Sequence, residues 1–416
     1  MKRRIKMAET KRLKAQSRPG FFAVLCCGLL LMFAAMLSVG PAWAQKSDQP
    51  KTLKIGYLLC LSGWYSAFDG MEEGHLKAVA QMINDRGGIT VAGQKYNIEL
   101  VGEDGKSTLD GITAGATRLA YDHKVKFVIG PDAFYSSASS PVFEQNNVLH
   151  VSGWVTLRPG EMDASTPYGF LGFNSTMGIL QGTVQVIKKE FPNVKKLVLT
   201  NPDDGSQDYL LPKIKKVLAA HGYTVVDVVS FSNEMEDFSP VGVKANAIKG
   251  YDAIMNINSS PVALGKIVKA VRGLGNEKPI IANQAIPAAD ILAICGKEAA
   301  DNVTTSGLIP LAKGNPPLMD EVFNRSGKKP PIFLFNPNGL WVLAKVIQAA
   351  NSLDPAVVKA KWESLDKVDT LFGTGIVSGD ETYGIKHHAV SHPVQYSKLV
   401  KGKVVYGGWI PATPVP

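Results

Sequence analysis

Short apolar segments that each end at a glycine or a polar residue, and that are followed by a helical pattern, recur along this chain. The first lies at residues 52–61, and two more lie at 125–129 and 148–152. Near-continuous apolar strands are typical of a parallel sheet that is covered on both faces. Strands that alternate with helices predict an α/β fold with right-handed crossover connections.

The same alternation resumes later in the chain. Further strands are predicted at residues 196–201, 224–231, 253–258 and 279–282, with helical spacing between them. Polar residues follow these strands, and the carboxyl ends of the strands in a doubly wound sheet meet at one crevice. The sequence therefore predicts two sheets, each with a polar carboxyl edge.

The N-terminal segment differs in composition from the rest. Eight basic residues and one acid lie within residues 1–20, residues 21–39 are uncharged and apolar, and an Ala-Trp-Ala motif ends at residue 44. This arrangement predicts a cleaved secretory signal peptide at residues 1–44 and hence a periplasmic location. The alternative is a retained membrane anchor, because the apolar stretch is nearly long enough to span a bilayer.

The charge of this segment changes the interpretation of the whole chain. The 416 residues carry a formal net charge of +9, of which the leader's eight bases and one acid contribute +7. The mature chain keeps +2, so its charge does not favour nucleic acid as a partner. The 372 residues after position 44 are too many for one hydrophobic core and predict two lobes.

Cys60 and Cys295 are the cysteines of the mature chain. An oxidising compartment permits a disulfide between them. Each lies in an apolar setting, far from the other in sequence, which favours two buried thiols.

Two loops that follow predicted strands carry groups that favour ligand binding. One is rich in serine and contains Ser136 and Ser137, whose hydroxyls and backbone N–H groups suit an anion at a helix start. The alternative is that these serines only cap the helix. The other loop contains Trp64, Tyr65 and Phe68, and three large rings in a short loop are expected to line a cleft or fill an interface.

Several short motifs resemble a known family. In chain order they are Lys54-Ile55-Gly56, Leu61-Ser62-Gly63, Ile83-Asn84 with Gly87-Gly88-Ile89, Phe127-Val128-Ile129-Gly130, and Pro141. Across residues 52–416 the chain resembles the type I periplasmic binding proteins, and within them the leucine/isoleucine/valine-binding proteins of ABC importers. The resemblance implies an α/β fold of two Rossmann-like lobes with parallel sheets, joined by three hinge crossings.

The resemblance also implies where each lobe begins and ends. Lobe 1 is expected to comprise residues 45–173 and 306–371, and lobe 2 residues 174–305 and 372–416. The extended segments that fit the three crossings lie at residues 169–173, 304–308 and 371–375.

In the first lobe, the family binds a ligand carboxylate through hydroxyl and backbone N–H groups. The positions that match here are Ser136 or Ser137, the backbone of Trp154, and Thr156. These groups are neutral donors, which bind an anion without a buried counter-charge. The resemblance therefore implies a carboxylate-bearing ligand.

In the second lobe, the family supplies groups for the amino end of the ligand. The matching positions lie near Ser206, Ser259 and Gln284, where the branched-chain binders resemble one another in carrying tyrosine, tyrosine and glutamate. This chain therefore lacks the obvious partner for a buried ammonium, which is costly to leave unpaired. Asp203 or Asp204 is a substitute, so an amino acid stays open beside an aromatic or apolar acid.

The expected ligand-binding residues combine a carboxylate-binding site with aromatic walls, as suits a small acid. They are Trp64, Tyr65, Phe68, Phe134, Tyr135, Ser136, Ser137, Trp154, Thr156, Asp204, Ser206, Gln207, Ser259 and Gln284.

An enzyme is disfavoured, because the chain has neither a Gly-x-Ser-x-Gly elbow nor a Walker loop. No cofactor is expected, and His387, His388 and His392 lack companion ligands at useful spacing for a metal. We expect a monomer that binds a small molecule and docks to a membrane permease and ATPase. The alternative is a ligand-sensing subunit with the same fold, which fold alone does not separate from a transport receptor.

Overall fold

A computed structural model describes residues 49–416 of the chain, apart from residues 206, 233–234, 285, 308–313 and 328–333. The predicted signal peptide at residues 1–44 lies outside the described residues. Residues 50–416 cluster as one unit. Within the described part, no helix is both long and apolar enough to cross a membrane.

Strands and helices alternate along most of the described chain. The strands are β1 Lys51–Leu59, β2 Ile89–Val91, β3 Gln94–Asp104, β4 Phe127–Ile129, β5 Leu149–Ser152, β6 Gly169–Leu171, β7 Lys196–Pro202, β8 Thr224–Phe231, β9 Ala253–Ile257, β10 Ile280–Asn283, β11 Val303–Gly307, β12 Lys367–Thr370, β13 Gly373–Ser378, β14 Ala389–Ser391, β15 Val394–Val400 and β16 Lys403–Ile410. The helices are α1 Ser66–Asp85, α2 Leu109–Thr117, α3 Ser136–Gln145, α4 Thr176–Glu190, α5 Gln207–Ala220, α6 Ser239–Ala247, α7 Pro261–Gly273, α8 Ala288–Cys295, α9 Pro317–Ser326, α10 Phe335–Ala350, α11 Pro355–Glu363 and α12 Asp380–Tyr383.

The strands form two sheets. The first has nine strands in the order β12-β13-β14-β6-β5-β4-β1-β3-β2, and the second has seven in the order β16-β15-β11-β10-β9-β7-β8. Strand β1 pairs in parallel with β3 and β4, and β7 pairs in parallel with β8 and β9. Two sheets of mainly parallel strands with intervening helices confirm the predicted α/β fold class.

The edge of the second sheet is an antiparallel hairpin. Lys401 and Gly402 join β15 to β16 with φ angles of 48° and 71°. Positive φ at both positions gives the two-residue turn whose twist matches the strands that flank it. The extended patterns at residues 392–400 and 403–409 predict a turn at Lys401 and Gly402, and the structure confirms it.

Along the chain, the strands change from one sheet to the other three times. The first change follows β6, at the predicted segment 169–173, and the second follows β11, after which residues 308–313 lie outside the described part. The third lies between Ser391 and Val394, so its prediction at residues 371–375 is wrong. There, Leu371 and Phe372 reverse the chain, and Thr370 pairs with Gly373 across an antiparallel ladder. Strands β13 and β14 consequently extend the first sheet.

The first and third crossings are bound to each other. The Asn174 side-chain amide donates to the His392 carbonyl at 2.9 Å, and the His392 backbone N–H donates back to Asn174 Oδ1 at 3.1 Å. The rings of Phe173, Phe372 and His392 pack together beside these bonds, with Phe173 and His392 centroids 4.3 Å apart. Burial lowers the pKa of His392 to about 3, so this ring is neutral at ordinary pH.

The core of the first sheet includes the largest fully buried side chain in the described residues, Trp362 of α11. Its ring lies 4.5 Å from that of Phe170, which stacks on His388 at 4.0 Å. His388 in turn contacts the Glu363 carboxylate at 3.0 Å. This cluster attaches α11 to strand β6, next to the first crossing.

Candidate functional site

Two loops meet at the carboxyl edge of the first sheet. Strands β4 and β5 are parallel neighbours, with Phe127 opposite Leu149 and Ile129 opposite Val151. The loops that follow them are therefore adjacent, as expected for ligand-binding loops in open α/β sheets. The Ala133 N–H donates across the gap to the carbonyl of Trp154 at 2.8 Å.

An aromatic cluster lies next to these loops. The ring of Tyr65 lies 5.1 Å from Trp64, 5.0 Å from Phe68 and 5.4 Å from Tyr135. Trp64 and Phe68 are 61% and 40% exposed, whereas Tyr135 is 2% exposed and belongs to the core. The structure thus brings four predicted aromatic residues together. Tyr135 is buried beneath the cluster, whereas Trp64 and Phe68 face solvent. The side chain of Phe134, also predicted, lies outside the described part.

The serine-rich segment forms the start of α3. The Ser136 hydroxyl is buried and donates to the Ala133 carbonyl at 2.8 Å, and Ser139 and Ser140 both donate to the Ser136 carbonyl. Side-chain bonds to nearby backbone groups are what serine makes at helix starts. Ser137, by contrast, is partly exposed. Of the two serines predicted as alternatives, only Ser137 therefore reaches the surface.

The backbone of Trp154 is partly committed to the protein itself. The N–H of Gly153 donates to Asp132 Oδ1 at 2.7 Å, and a hydrogen bond from the Trp154 N–H opposes the rise that burial causes in the pKa of Asp132. The Trp154 side chain stays partly exposed, with its ring 5.6 Å from Phe335. The predicted backbone donor thus faces an internal carboxylate, while the indole borders the site.

Thr156, two residues further on, also contacts an internal carboxylate. Its backbone N–H donates to Glu161 Oε2 at 2.5 Å, and its hydroxyl donates to Glu161 Oε1 at 2.5 Å. Thr156 is partly exposed, so it is not sealed inside the protein. Thr156, which the family resemblance assigns to a ligand carboxylate, therefore binds both oxygens of a carboxylate. That carboxylate is the side chain of Glu161.

Three buried acids lie beneath the loops and were not predicted. Glu72 accepts the Phe335 N–H at 2.8 Å and the Asn336 side-chain amide at 2.6 Å. The same amide donates to Asp132 Oδ2 at 2.9 Å, and Asp69 accepts the N–H of Cys60 at 2.6 Å. Burial raises the pKa of Glu72 to about 8 and of Asp132 to about 6, and it also raises the pKa of Asp69.

These acids serve the backbone. Glu72 binds N–H groups at the start of α10, where a helix presents unsatisfied donors. Asp132 binds the N–H that follows β5. Because their partners are backbone and amide donors, the acids hold α1, α10 and the loop after β4 in one arrangement.

The carboxyl edge of the second sheet is rich in amides. Asn201 lies near the end of β7, Asn256 lies on β9, and Asn283 ends β10; all three are buried, and Gln284 follows Asn283. Gln284 is partly exposed, and its buried Oε1 has no hydrogen-bond partner among the described residues. The polar groups at this edge are therefore neutral amides, of which Gln284 is partly exposed.

The other residues predicted at this edge differ in burial and in hydrogen-bond partners. Ser259 is buried and donates to Asn256 Oδ1. Gln207 donates to the Pro202 carbonyl at 2.9 Å and to Asp203 Oδ1 at 2.7 Å. Asp204 is exposed and its carbonyl accepts from Arg158 Nη2 at 2.8 Å. Ser206 lies outside the described residues.

The described residues also test the expectation about the two cysteines. Cys60 and Cys295 are both free and buried, which confirms the predicted thiols, and burial raises the pKa of Cys60 to about 12. No three His, Cys, Asp or Glu side chains in the described part are grouped so as to hold a metal ion.

The fold consists of two mainly parallel sheets with polar residues at their carboxyl edges. A family profile described as periplasmic binding protein matches residues 52–403, and the chain belongs to that family. The family consists of extracytoplasmic solute-binding receptors, which work with ABC transporters.

Several solved structures of substrate-binding proteins have a similar fold. The LivJ protein of Streptococcus pneumoniae, solved in complex with isoleucine, is 22% identical, covers 87% of this chain and 100% of its own, and has a TM-score of 0.65. The leucine-binding protein LivK of Thermotoga maritima is 21% identical over 86% of this chain and 99% of its own, at a TM-score of 0.62. A solute-binding protein of R. palustris, in complex with 4-hydroxybenzoate, is 17% identical over 88% and 98%, at a TM-score of 0.64.

Proposed function

We propose that this chain is the solute receptor of an ABC importer and that it captures a small carboxylate-bearing ligand, either an aromatic or apolar acid or an amino acid, between two closing lobes. The observation that carries this proposal is that Thr156 binds both carboxylate oxygens of Glu161, which shows that its two donors fit a carboxylate. An N–H and an O–H at this spacing fit the two oxygens of a carboxylate, and bonds to an ionised acceptor are strong.

The aromatic rings at the carboxyl edge of the first sheet favour an acid with an apolar body. Trp64, Phe68 and Trp154 present rings at the same sheet edge, two of them to solvent. Aromatic walls with a few fixed polar groups are typical of small-molecule sites. Relatives of this fold were solved with isoleucine and with 4-hydroxybenzoate, which are both carboxylates with an apolar part.

The proposed mechanism is closure of two lobes built on the two sheets. The ligand carboxylate docks at the first sheet near Ser137, Trp154 and Thr156. The second sheet then brings Gln207 and Gln284 onto the far end of the ligand. Contacts that exist only in the closed form shift the open–closed equilibrium, and a membrane permease with its ATPase reads the closed form. We expect no catalytic activity.

A thermal-shift panel tests this function. We expect benzoate, 4-hydroxybenzoate or isoleucine to raise the melting temperature, because a ligand at a hundredfold its Kd adds about 2.7 kcal/mol to the stability of the folded state. Benzamide and benzyl alcohol, which lack the carboxylate, serve as matched controls and are expected to give no shift. Equal shifts from acids and neutral controls would exclude carboxylate recognition.

Substitution of Gln284 separates the classes of ligand. Gln284→Glu places a negative charge opposite the proposed carboxylate site, so we expect at least about a tenfold loss of affinity for benzoate and a gain for isoleucine, whose ammonium gains a partner. Calorimetric titration of both ligands measures the change. Gln348→Glu makes the same chemical change at an exposed site on α10 and is the control. Unchanged preference in Gln284→Glu would remove this residue from the site.

A further inference from the structure

The contact between Thr156 and Glu161 closes a short loop after β5. Besides the two Thr156 bonds, the Arg158 backbone N–H stabilises the ionised form of the Glu161 carboxylate, and the Glu161 N–H donates to the Arg158 carbonyl at 3.2 Å. Glu161 is 1% exposed. Both donors of Thr156 are thus in use before any ligand arrives.

The charged and titratable groups around Glu161 are few in the described residues. Arg158, on the same loop, favours the ionised carboxylate. Tyr383 of α12 faces it, and burial together with the charge of Glu161 raises the pKa of the Tyr383 hydroxyl. Burial is the larger effect on Glu161 itself and raises its pKa to about 7, despite the hydrogen bonds that oppose the change. This carboxylate therefore takes up a proton readily when it loses a donor.

The loop that carries Glu161 belongs to both halves of the molecule. Thr156 follows β5 of the first sheet, whereas Val155 and Met162 pack in the core of the second. Arg158 donates to the carbonyl of Asp204, which follows β7 of the second sheet. A change in the contact between Glu161 and Thr156 is consequently expected to alter contacts with both sheets.

We propose that Glu161 is a specificity-determining residue that competes with the carboxylate of the ligand for the two donors of Thr156. This inference rests on the proposed function. An incoming acid binds by exchange: its carboxylate takes the Thr156 N–H and O–H, and Glu161 leaves them. Because two carboxylates then lie close together in a buried setting, Glu161 accepts one proton from the buffer. Acids that bind too weakly to displace Glu161 are rejected, and binding of the others consumes a proton.

Glu161→Gln tests the exchange. The neutral amide has one acceptor oxygen in place of two, so it frees a donor and removes the competing charge. We expect benzoate, 4-hydroxybenzoate or isoleucine to bind at least about tenfold tighter to this variant at pH 8 than to the wild type. The wild-type affinity is expected to rise as the pH falls from 8.5 to 6, and this dependence is expected to disappear in the variant.

Asp163→Asn is the matched control. Asp163 lies on the same loop and also accepts backbone N–H groups, from Gly160 and Ser165, but it does not contact Thr156. We expect this variant to keep the wild-type affinity and its dependence on pH. An equal gain in both variants would assign the effect to loosening of the loop and overturn the proposal.

A measurement on the wild type keeps the proposal testable if Glu161→Gln does not fold. Titration calorimetry with the same acids at pH 8, in buffers of different ionisation enthalpy, is expected to show net uptake of a proton. Acid binding without proton uptake, or with the same affinity in Glu161→Gln, contradicts the exchange and leaves the proposed function standing. If no acid binds to either protein, the proposed function fails and the exchange fails with it.

Discussion

The stability of the wild-type protein is expected to fall as the pH rises from 6.5 to 8. The folded-state pKa of Glu72 is raised to about 8, far above the value near 4.5 of an exposed glutamate. Over this window the folded state keeps a proton that the unfolded state has already lost, so each pH unit removes about 1.4 kcal/mol of stability per proton. Below pH 6.5 the neutral, buried His392 acts in the opposite direction, because the unfolded state then binds the extra proton.

Glu72→Gln is expected to flatten this dependence and to be more stable than the wild type at pH 8, by about 1–3 kcal/mol. The amide keeps an acceptor for the start of α10 and cannot ionise. Thermal melts at intervals of half a pH unit measure both proteins. Glu99→Gln, an exposed glutamate on β3, is the control and is expected to follow the wild type. Parallel curves for wild type and Glu72→Gln would contradict the assignment.

Trp362→Ala is expected to lower the free energy of unfolding by about 3–5 kcal/mol. This side chain is fully buried against Phe170, so its removal leaves a cavity next to the first crossing. Trp362→Phe is expected to cost clearly less, because the ring contact survives and the buried indole N–H has no hydrogen-bond partner in the described residues. Urea unfolding of both variants measures the difference.

Val357→Ala provides the matched control for this helix. Val357 lies on α11 as well but is 46% exposed. Its truncation is expected to change stability by less than about 0.5 kcal/mol. A cost for Trp362→Ala as small as that of Val357→Ala would show that α11 is not anchored through this ring.

Much of the fold could be predicted because its signals are local. The apolar runs of β1 and β4, and the turn at Lys401-Gly402, each depend on a few neighbouring residues. The prediction for the third crossing was wrong because Phe372 packs against Phe173 and His392, which are distant in sequence. Local sequence patterns do not predict such contacts. Local spacing identifies a strand, but distant packing decides which sheet it joins.

The site was harder to predict for the same reason. The aromatic loop stands out in the sequence as three rings after a predicted strand, whereas the family resemblance identifies Thr156. Glu72 gains its role from the start of α10, more than 260 residues away, and Glu161 gains its role from the shape of one loop. Asp132 follows Pro131 shortly after a predicted strand. The polar character of the sheet edge was therefore the one sequence signal for the role of Asp132.

The paired bonds between Asn174 and His392 restrict how the molecule can open. The first and third crossings are joined by these two bonds, because Asn174 and His392 each supply one donor and one acceptor. For the proposed closure of the two lobes, we expect this pairing to favour rotation about one axis over twisting or sliding. A restricted motion of this kind is expected to reduce the conformational entropy that is lost on closure.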